Sequence, residues 1–474
     1  MKSNTSTPNT EVKVQKSKKR FSLVNWFAKN DMVETFGNAW KIADLRRKML
    51  FTLMIVLLYR IGANLYVPFV DIVGIKQNAG AWLDFSGIFG MINLFSGGSF
   101  EQASLFALSV SPYITASIVM QLLTIAIPAL ERLSKEGEEG KRKINAITRI
   151  VTVALAVITA YGYVMLLEAN GMLLIHKHDG GIYYLGLILM VASFCAGASI
   201  IMWLAEQINQ HGIGNGISII LFANIISRGY SMAISMVGMM QDGLGNFLKG
   251  GDLVVGIIEF VISLALTIAS IGMIVWFTNS EERIRIQYAK KVVGRKMYGG
   301  QSSNLPLKMN MAGVMPVIFA SSIVSILPTV AGFTKESSGF YKVVTTFFGP
   351  STPAYILTYF VLIFAFSYFY ITISFNPVEV ANNIKNNGGS IKGYRSGSET
   401  AAYIKKHLNR ITTMGAVFLA VVAGVPMIVG ALRPSFTSMA FSGTSLLIAV
   451  GVVLEVVRDV EAQMKLRNYK GFLD

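Results

Sequence analysis

Apolar residues in this chain gather into long runs separated by polar segments. Ten runs reach the length needed to cross a hydrocarbon core of about 30 Å. They are residues 49–70, 102–129, 147–167, 182–204, 213–237, 253–278, 312–334, 354–375, 411–432 and 437–457. Backbone in lipid must satisfy its own hydrogen bonds, so these runs predict helices. Five runs precede the segment 238–252 and five follow it. Halves of five spans each must run in opposite senses, which is the geometry of an inverted repeat with its working site near the midplane. The expected fold class is an all-α polytopic membrane protein with ten transmembrane helices in two inverted five-helix halves. Residues 86–98 (SGIFGMINLFSGG) interrupt the pattern, being apolar and Gly-rich but too short to span. They read either as a re-entrant segment partly filling a cavity or as an external surface helix.

Charge orients the spans. Of the 42 Lys and Arg, 34 fall in segments 1–48, 130–149, 280–311, 377–410 and 458–474, all on one side if the ten runs alternate. The intervening loops 71–101 and 168–181 carry only Lys76 and Lys177. The positive-inside rule then puts both termini in the cytoplasm. Residues 1–20 are polar, basic and without periodicity, which reads as disorder, and residues 21–48, with Trp26 and Trp40, read as a helix on the membrane surface. The first apolar run is too long for a signal-peptide core, so it is expected to remain as the first span. Composition agrees: 53% of the residues are hydrophobic and 14% charged, against roughly 25% charged in soluble chains.

No catalytic constellation emerges. His176, His178 and Asp179 lie together, but a metal site needs further ligands in fixed geometry, so neither metal nor other cofactor is expected. Nucleotide-binding loops, HExxH motifs and acid pairs inside the spans are all missing. The single cysteine, Cys195, reads as a small core residue. Arg60, well inside the first run, is either functional or a structural arginine that reaches carbonyls. Two basic loops are larger than topology requires. One contains EERIRIQYAKKVVGRKMYGG (281–300), whose alternation predicts a hairpin strand; the other runs from Asn376 to Thr400 and holds Arg395 at a turn-rich tip. Both suit docking of an acidic or phosphate-bearing partner. Gly and Pro fall inside three runs, at Ser111-Pro112, Gly212 to Gly216, and Gly313 with Pro316. Interrupted helices in two halves point to a transport path, though singly each is ordinary membrane packing.

Several long motifs resemble the SecY family, the pore subunit of the bacterial Sec translocation channel (the SecYEG translocon). They include SPYITASIVMQLL (111–123), KEGEEGKRKI (135–144), WLAEQINQHGIGNGISII (203–220), QYAKK (287–291), LPLKMNMAGVMPVIFASSI (305–323), FNPVEVANNIKNNGG (375–389) and GTSLLI (443–448). The resemblance implies a clamshell of two pseudo-symmetric halves around a central pore, through which unfolded polypeptides pass outward and apolar segments leave sideways into lipid. It implies a pore ring at Val110, Ile114, Ile217, Leu221, Ile318 and Ile448, and a plug at 86–98 with Ile88, Phe89, Ile92 and Leu94. A lateral gate would lie between the second and third spans and the seventh and eighth, with Thr115, Ile118 and Gln121 on the second. Lys290, Arg295, Lys296 and Arg395 match positions that dock the SecA motor ATPase and the ribosome. The loop tip departs from the family pattern, with Ser396 where proline is usual. SecE and SecG subunits are further implied partners, the bacterial cytoplasmic membrane the implied location, and no enzymatic step is implied.

The expected organisation is a basic cytoplasmic extension (1–35), a first half with spans one to five (36–237), a second half with spans six to ten and cytoplasmic loops 280–311 and 377–410 (238–457), and a cytoplasmic tail (458–474). Rival readings are a solute transporter with an inverted repeat, which requires a midplane cluster of ionisable groups, an intramembrane protease, and an accessory SecY paralogue with few substrates.

Overall fold

The computed structural model describes residues 37, 39–77, 93, 95–175, 180–229, 234, 253–288, 291–293, 296–298, 302–332, 338–348, 352–432 and 442–470. The predicted plug residues Ile88, Phe89, Ile92 and Leu94, the His176–Asp179 cluster, Lys290, Arg295 and the extension 1–35 lie outside them.

In chain order the helices are α1 (Ala43–Gly62), α2 (Ile72–Gln77), α3 (Ser111–Ala126), α4 (Pro128–Lys135), α5 (Glu138–Ala169), α6 (Gly181–His211), α7 (Gly216–Gly229) and α8 (Leu253–Asn279). There follow α9 (Met315–Gly332), α10 (Gly339–Phe348), α11 (Pro353–Ser374), α12 (Pro377–Asn386), α13 (Ser398–Leu432) and α14 (Ser442–Lys470). Each of the ten apolar runs carries a helix over part or most of its length. By length and composition, four stretches among the described residues suffice on their own to cross a membrane: Glu138–Ala169, Gly181–His211, Pro353–Asn386 and Ser398–Val429. A fifth is added if α3 and α4 count together.

The run 102–129 is not one continuous helix. Residues 102–110 form turns, α3 spans only 16 residues, about 24 Å, and α4 leaves it at 101°. Proline sets both boundaries. Pro112 stands in the first turn of α3, where its missing N–H costs no helical bond. Pro128 forces Ile127 before it into extended backbone (φ −108°, ψ 113°), which ends α3.

The largest buried cluster draws on α1, α3, α6 and α7 from the first half and on α8, α9, α11, α13 and α14 from the second. A second cluster holds α5 against α6 and the turns around Phe100–Leu108. The two halves meet where α3 packs on α9.

The predicted strand is β1 (Glu281–Tyr288). It pairs antiparallel with β4 (Ser302–Lys308), from Glu281↔Lys308 to Gln287↔Ser302, and a short β2–β3 ribbon (Lys291–Val293, Lys296–Tyr298) lies between. The other edge of β1 takes β5 (Gly389–Ile391), giving the order β4-β1-β5. The two basic loops are therefore one subdomain rather than two. Ile284 and Ile286 of β1, Leu307 of β4, Ile384, Ile391 and Ile404 bury a common core.

Candidate functional site: an apolar junction and a basic loop face

The three Gly/Pro positions inside the runs prove to be helix starts. α3 begins at Ser111-Pro112, α7 at Gly216 and α9 just before Pro316. Three N–H groups of the Gly212–Gly216 break bond to side chains: Ile213 N–H donates to Thr52 Oγ1 (3.1 Å), Gly214 N–H to Asp459 (2.9 Å) and Gly216 N–H to Asn209 Oδ1 (2.7 Å). That break is a junction of α1, α6, α7 and α14, not a vacant ligand site.

Each start places an aliphatic side chain in its opening turn. Ile114, Ile217 and Ile318 are the second to fourth residues of α3, α7 and α9. Val110 precedes α3, Leu221 lies one turn further along α7, and Ile448 lies in the second turn of α14. All six join the largest buried cluster; Ile217 is half-buried and the rest are buried. Such a junction can do no bond chemistry. A ring of aliphatic side chains excludes water by dewetting while leaving any passing chain loosely bound.

Of the three residues expected at a lateral gate, Ile118 is buried in this cluster. The polar pair bonds within α3: Thr115 Oγ1 donates to the Ser111 carbonyl (3.1 Å) and Gln121 Nε2 to Ser117 Oγ (3.3 Å). Neither of these bonds crosses to α9.

On the β4-β1-β5 subdomain, Arg395 sits exposed between Gly393 (φ 92°) and Gly397 (φ 111°), left-handed positions that fit glycine. The tip is fixed without a proline. Arg395 N–H donates to Glu399 Oε2 (3.0 Å), and the Arg395 carbonyl accepts from Thr400 Oγ1 (2.8 Å). Ring contacts then run from Tyr394 to Tyr403 to His407, whose Nδ1 lies 2.9 Å from Glu282 on β1. Lys296 lies in β3, paired with Val293. Glu399→Ala, which frees the Arg395 amide, is expected to lower translocation about threefold. Glu399→Gln, which keeps an acceptor, is expected to restore most of that in a vesicle translocation assay.

An open apolar cleft of about 540 Å³ lies among α1, α7 and α14, lined by Leu53, Val56, Ile219, Phe222, Val453 and Val456, with Arg60 in its wall. The first-run arginine resolves as a carbonyl-reaching side chain: its guanidinium donates to the Ala223 carbonyl on α7 (2.7 Å). Among the described residues there is no cluster of three or more His, Cys, Asp or Glu able to hold a metal.

The SecY family model matches residues 104–457. A protein translocase subunit SecY from Streptomyces scabiei is 41% identical over 447 residues, covering 93% of this chain and all of that one. The chain belongs to the SecY family. Among solved structures it is similar to a protein-conducting channel, with a TM-score of 0.59 at 18% identity, covering 88% of this chain and 92% of that one. It is also similar to canine Sec61 in a ribosome-channel complex from the endoplasmic reticulum, with a TM-score of 0.56 at 17% identity, covering 88% and 92%. The SecY-type fold and multi-pass membrane character follow. Sequence reading passed over Asn224 and Arg228, buried or half-buried polar groups in the run 213–237; their spacing of four in an apolar helix was the available signal.

Proposed function

We propose that this chain is the channel-forming subunit of a Sec translocon in a bacterial cytoplasmic membrane, with ten spans in two inverted halves and both termini in the cytoplasm. It conducts unfolded secretory polypeptides outward and releases apolar segments sideways into the bilayer. The observation that carries this reading is the SecY match, which spans nearly the whole chain. The arrangement supports it: six aliphatic side chains from α7, α9, α14 and the start of α3 share one buried junction between the halves. Segment 86–98 is the plug, and the α3–α9 seam is the lateral gate. The chain contributes a passage and no bond-making step. Motive force comes from SecA, a translating ribosome or the membrane potential. SecA and the ribosome dock on the face bearing Lys290, Arg295, Lys296 and Arg395. SecE and SecG complete the complex, with SecE seated on the apolar cleft, which touches α1 and α7 of the first half and α14 of the second.

The test is a site-specific crosslinker at Ile318 with a substrate halted midway. Ile318 and Ile217 are expected to label the substrate. A lipid-facing control at Leu357, 66% exposed, is not. Translocation that depends on this protein with no labelling from either isoleucine would overturn the ring.

A further inference from the structure

α8 ends at Asn279, where the chain leaves for the basic hairpin β1–β4. The last carbonyls of a helix have no intrahelical partner. One of them is taken here by another helix. Arg458 on α14 donates through its guanidinium to the Thr278 carbonyl (2.6 Å) and to Asn279 Oδ1 (2.9 Å). A cation at that end also complements the helix dipole. The hairpin closes directly beyond. Met309 N–H, just after β4, donates to the Ser280 carbonyl (2.9 Å), and Glu281 opposes Lys308 in the β1–β4 register. Arg458 therefore grips the root of the hairpin.

The next residue on α14 holds the first half. Asp459 Oδ2 accepts from the Gly214 N–H (2.9 Å) and from Gln463 Nε2 (3.3 Å). Gln463 Oε1 in turn accepts from Lys48 Nζ on α1 (3.1 Å). Gly214 has left-handed backbone (φ 76°) and stands two residues before α7 and three before Ile217. Apolar packing backs these bonds: Val460 of α14 is buried with Ile213 and Leu45, and Val456 packs against them. Ile448 lies ten residues before Arg458 on the same helix, about 15 Å along its axis. One turn of α14 thus bonds to the hairpin root in the second half and to the break that starts α7 in the first.

We propose that Arg458 and Asp459 form a clamp through which displacement of the β1–β4 hairpin moves the start of α7 together with α14, so that Ile217 and Ile448 shift as one. The clamp rests on the reading of the chain as a channel whose basic loops dock a motor. Arg458 and Asp459 are positioning residues, acting on the junction through α8, α7 and α14.

The test uses the complex purified with its SecE and SecG subunits, placed in vesicles and driven by SecA. The readouts are the maximal translocation rate, the SecA concentration that gives half of it, and hydrogen exchange of the peptide 212–217 in the resting complex. Arg458→Met keeps the unbranched stem and removes every donor. It is expected to lower the maximal rate about fivefold, the scale of one net hydrogen bond, and to leave the half-saturating SecA concentration within about twofold. It should also speed exchange at 212–217 about fivefold, although the bonds of Arg458 are to α8. Asp459→Ala frees the Gly214 N–H directly and is expected to do the same, which keeps the test alive should Arg458→Met not accumulate. Arg458→Lys, which keeps a donor, and Asp459→Asn, which keeps an acceptor, are expected to recover most of the loss. The Arg458→Met, Asp459→Ala double variant is expected to exceed neither single one, because both interrupt one linkage. A wild-type maximal rate in Arg458→Met, unchanged exchange at 212–217, or losses that multiply in the double variant overturn the clamp. A raised half-saturating SecA concentration at an unchanged maximal rate places Arg458 in docking and overturns it too. A wild-type complex that translocates nothing, while Arg458→Met still speeds exchange at 212–217, overturns the channel reading and upholds the clamp.

Discussion

Charge reversal at Arg395 is expected to cut translocation by about tenfold or more without disturbing the fold. The side chain is exposed, and nothing in the core depends on it. Its backbone is what the structure secures, through Glu399 and Thr400 on the first turn of α13. The guanidinium is thus presented on a fixed tip and spends little of its binding energy on ordering. That tip belongs to the same subdomain as the β1 hairpin, because β5 pairs with β1 and the Tyr394–Tyr403–His407–Glu282 chain links them. A motor or ribosome docked on one loop therefore pushes on both, and through α13 on the second half. Arg395→Glu measured beside Arg395→Lys separates the requirement. If only charge matters, lysine restores most of the activity; if planar, bidentate recognition matters, lysine remains well below wild type. Wild-type translocation by Arg395→Glu, with SecA-driven and ribosome-driven substrates alike, would remove this tip from the docking face.

How much could be read in advance depended on whether a signal was local. Long apolar runs are local, and each of the ten carries a helix. RIRIQY alternates, and it is a strand. The continuous second run was misleading, because apolar composition cannot distinguish the buried turns of 102–110 from helix; Pro112 and Pro128 were the better markers. Gly and Pro inside the runs were read as interruptions of helices, and they mark helix starts instead. The first turns of those helices carry Ile114, Ile217 and Ile318. Pairing between distant segments was not legible at all. Nothing in residues 281–288 announces Gly389–Ile391 as a neighbour, and Arg60, readable as an arginine that reaches a carbonyl, gives no hint that the carbonyl belongs to Ala223, 163 residues away. The six junction aliphatics illustrate the same limit. Without the family motifs they are ordinary membrane residues, since only their convergence from several helices distinguishes them.

The close approach of α7 to α6 makes the second large effect a matter of packing. A Cβ placed on Gly216 would lie 2.0 Å from the Ala205 carbonyl oxygen and 2.9 Å from the Ala205 Cα. Both atoms belong to the backbone of α6, so no side-chain rotation relieves the overlap. The glycine N–H also donates to Asn209 Oδ1 on the same helix (2.7 Å), which fixes the first turn of α7 in place. Gly216→Ala must therefore displace the start of α7 or open the junction that Thr52 and Asp459 close on its other side. The expected cost is about 3 kcal/mol, the upper part of the range for overpacking a tight interior. Gly229, at the far end of α7, has nothing within 4 Å of its Cβ position, so Gly229→Ala is the matched control and should be near neutral. Thermal unfolding of the purified complex in detergent should show Gly216→Ala melting several degrees below both wild type and Gly229→Ala. Ile217 follows directly in sequence and shifts with the strained turn, so resting conductance should rise in the same variant at temperatures where it remains folded. A melting point equal to wild type would mean that the α6–α7 contact yields more readily than backbone packing allows, and that the position of Ile217 is set elsewhere than at this junction.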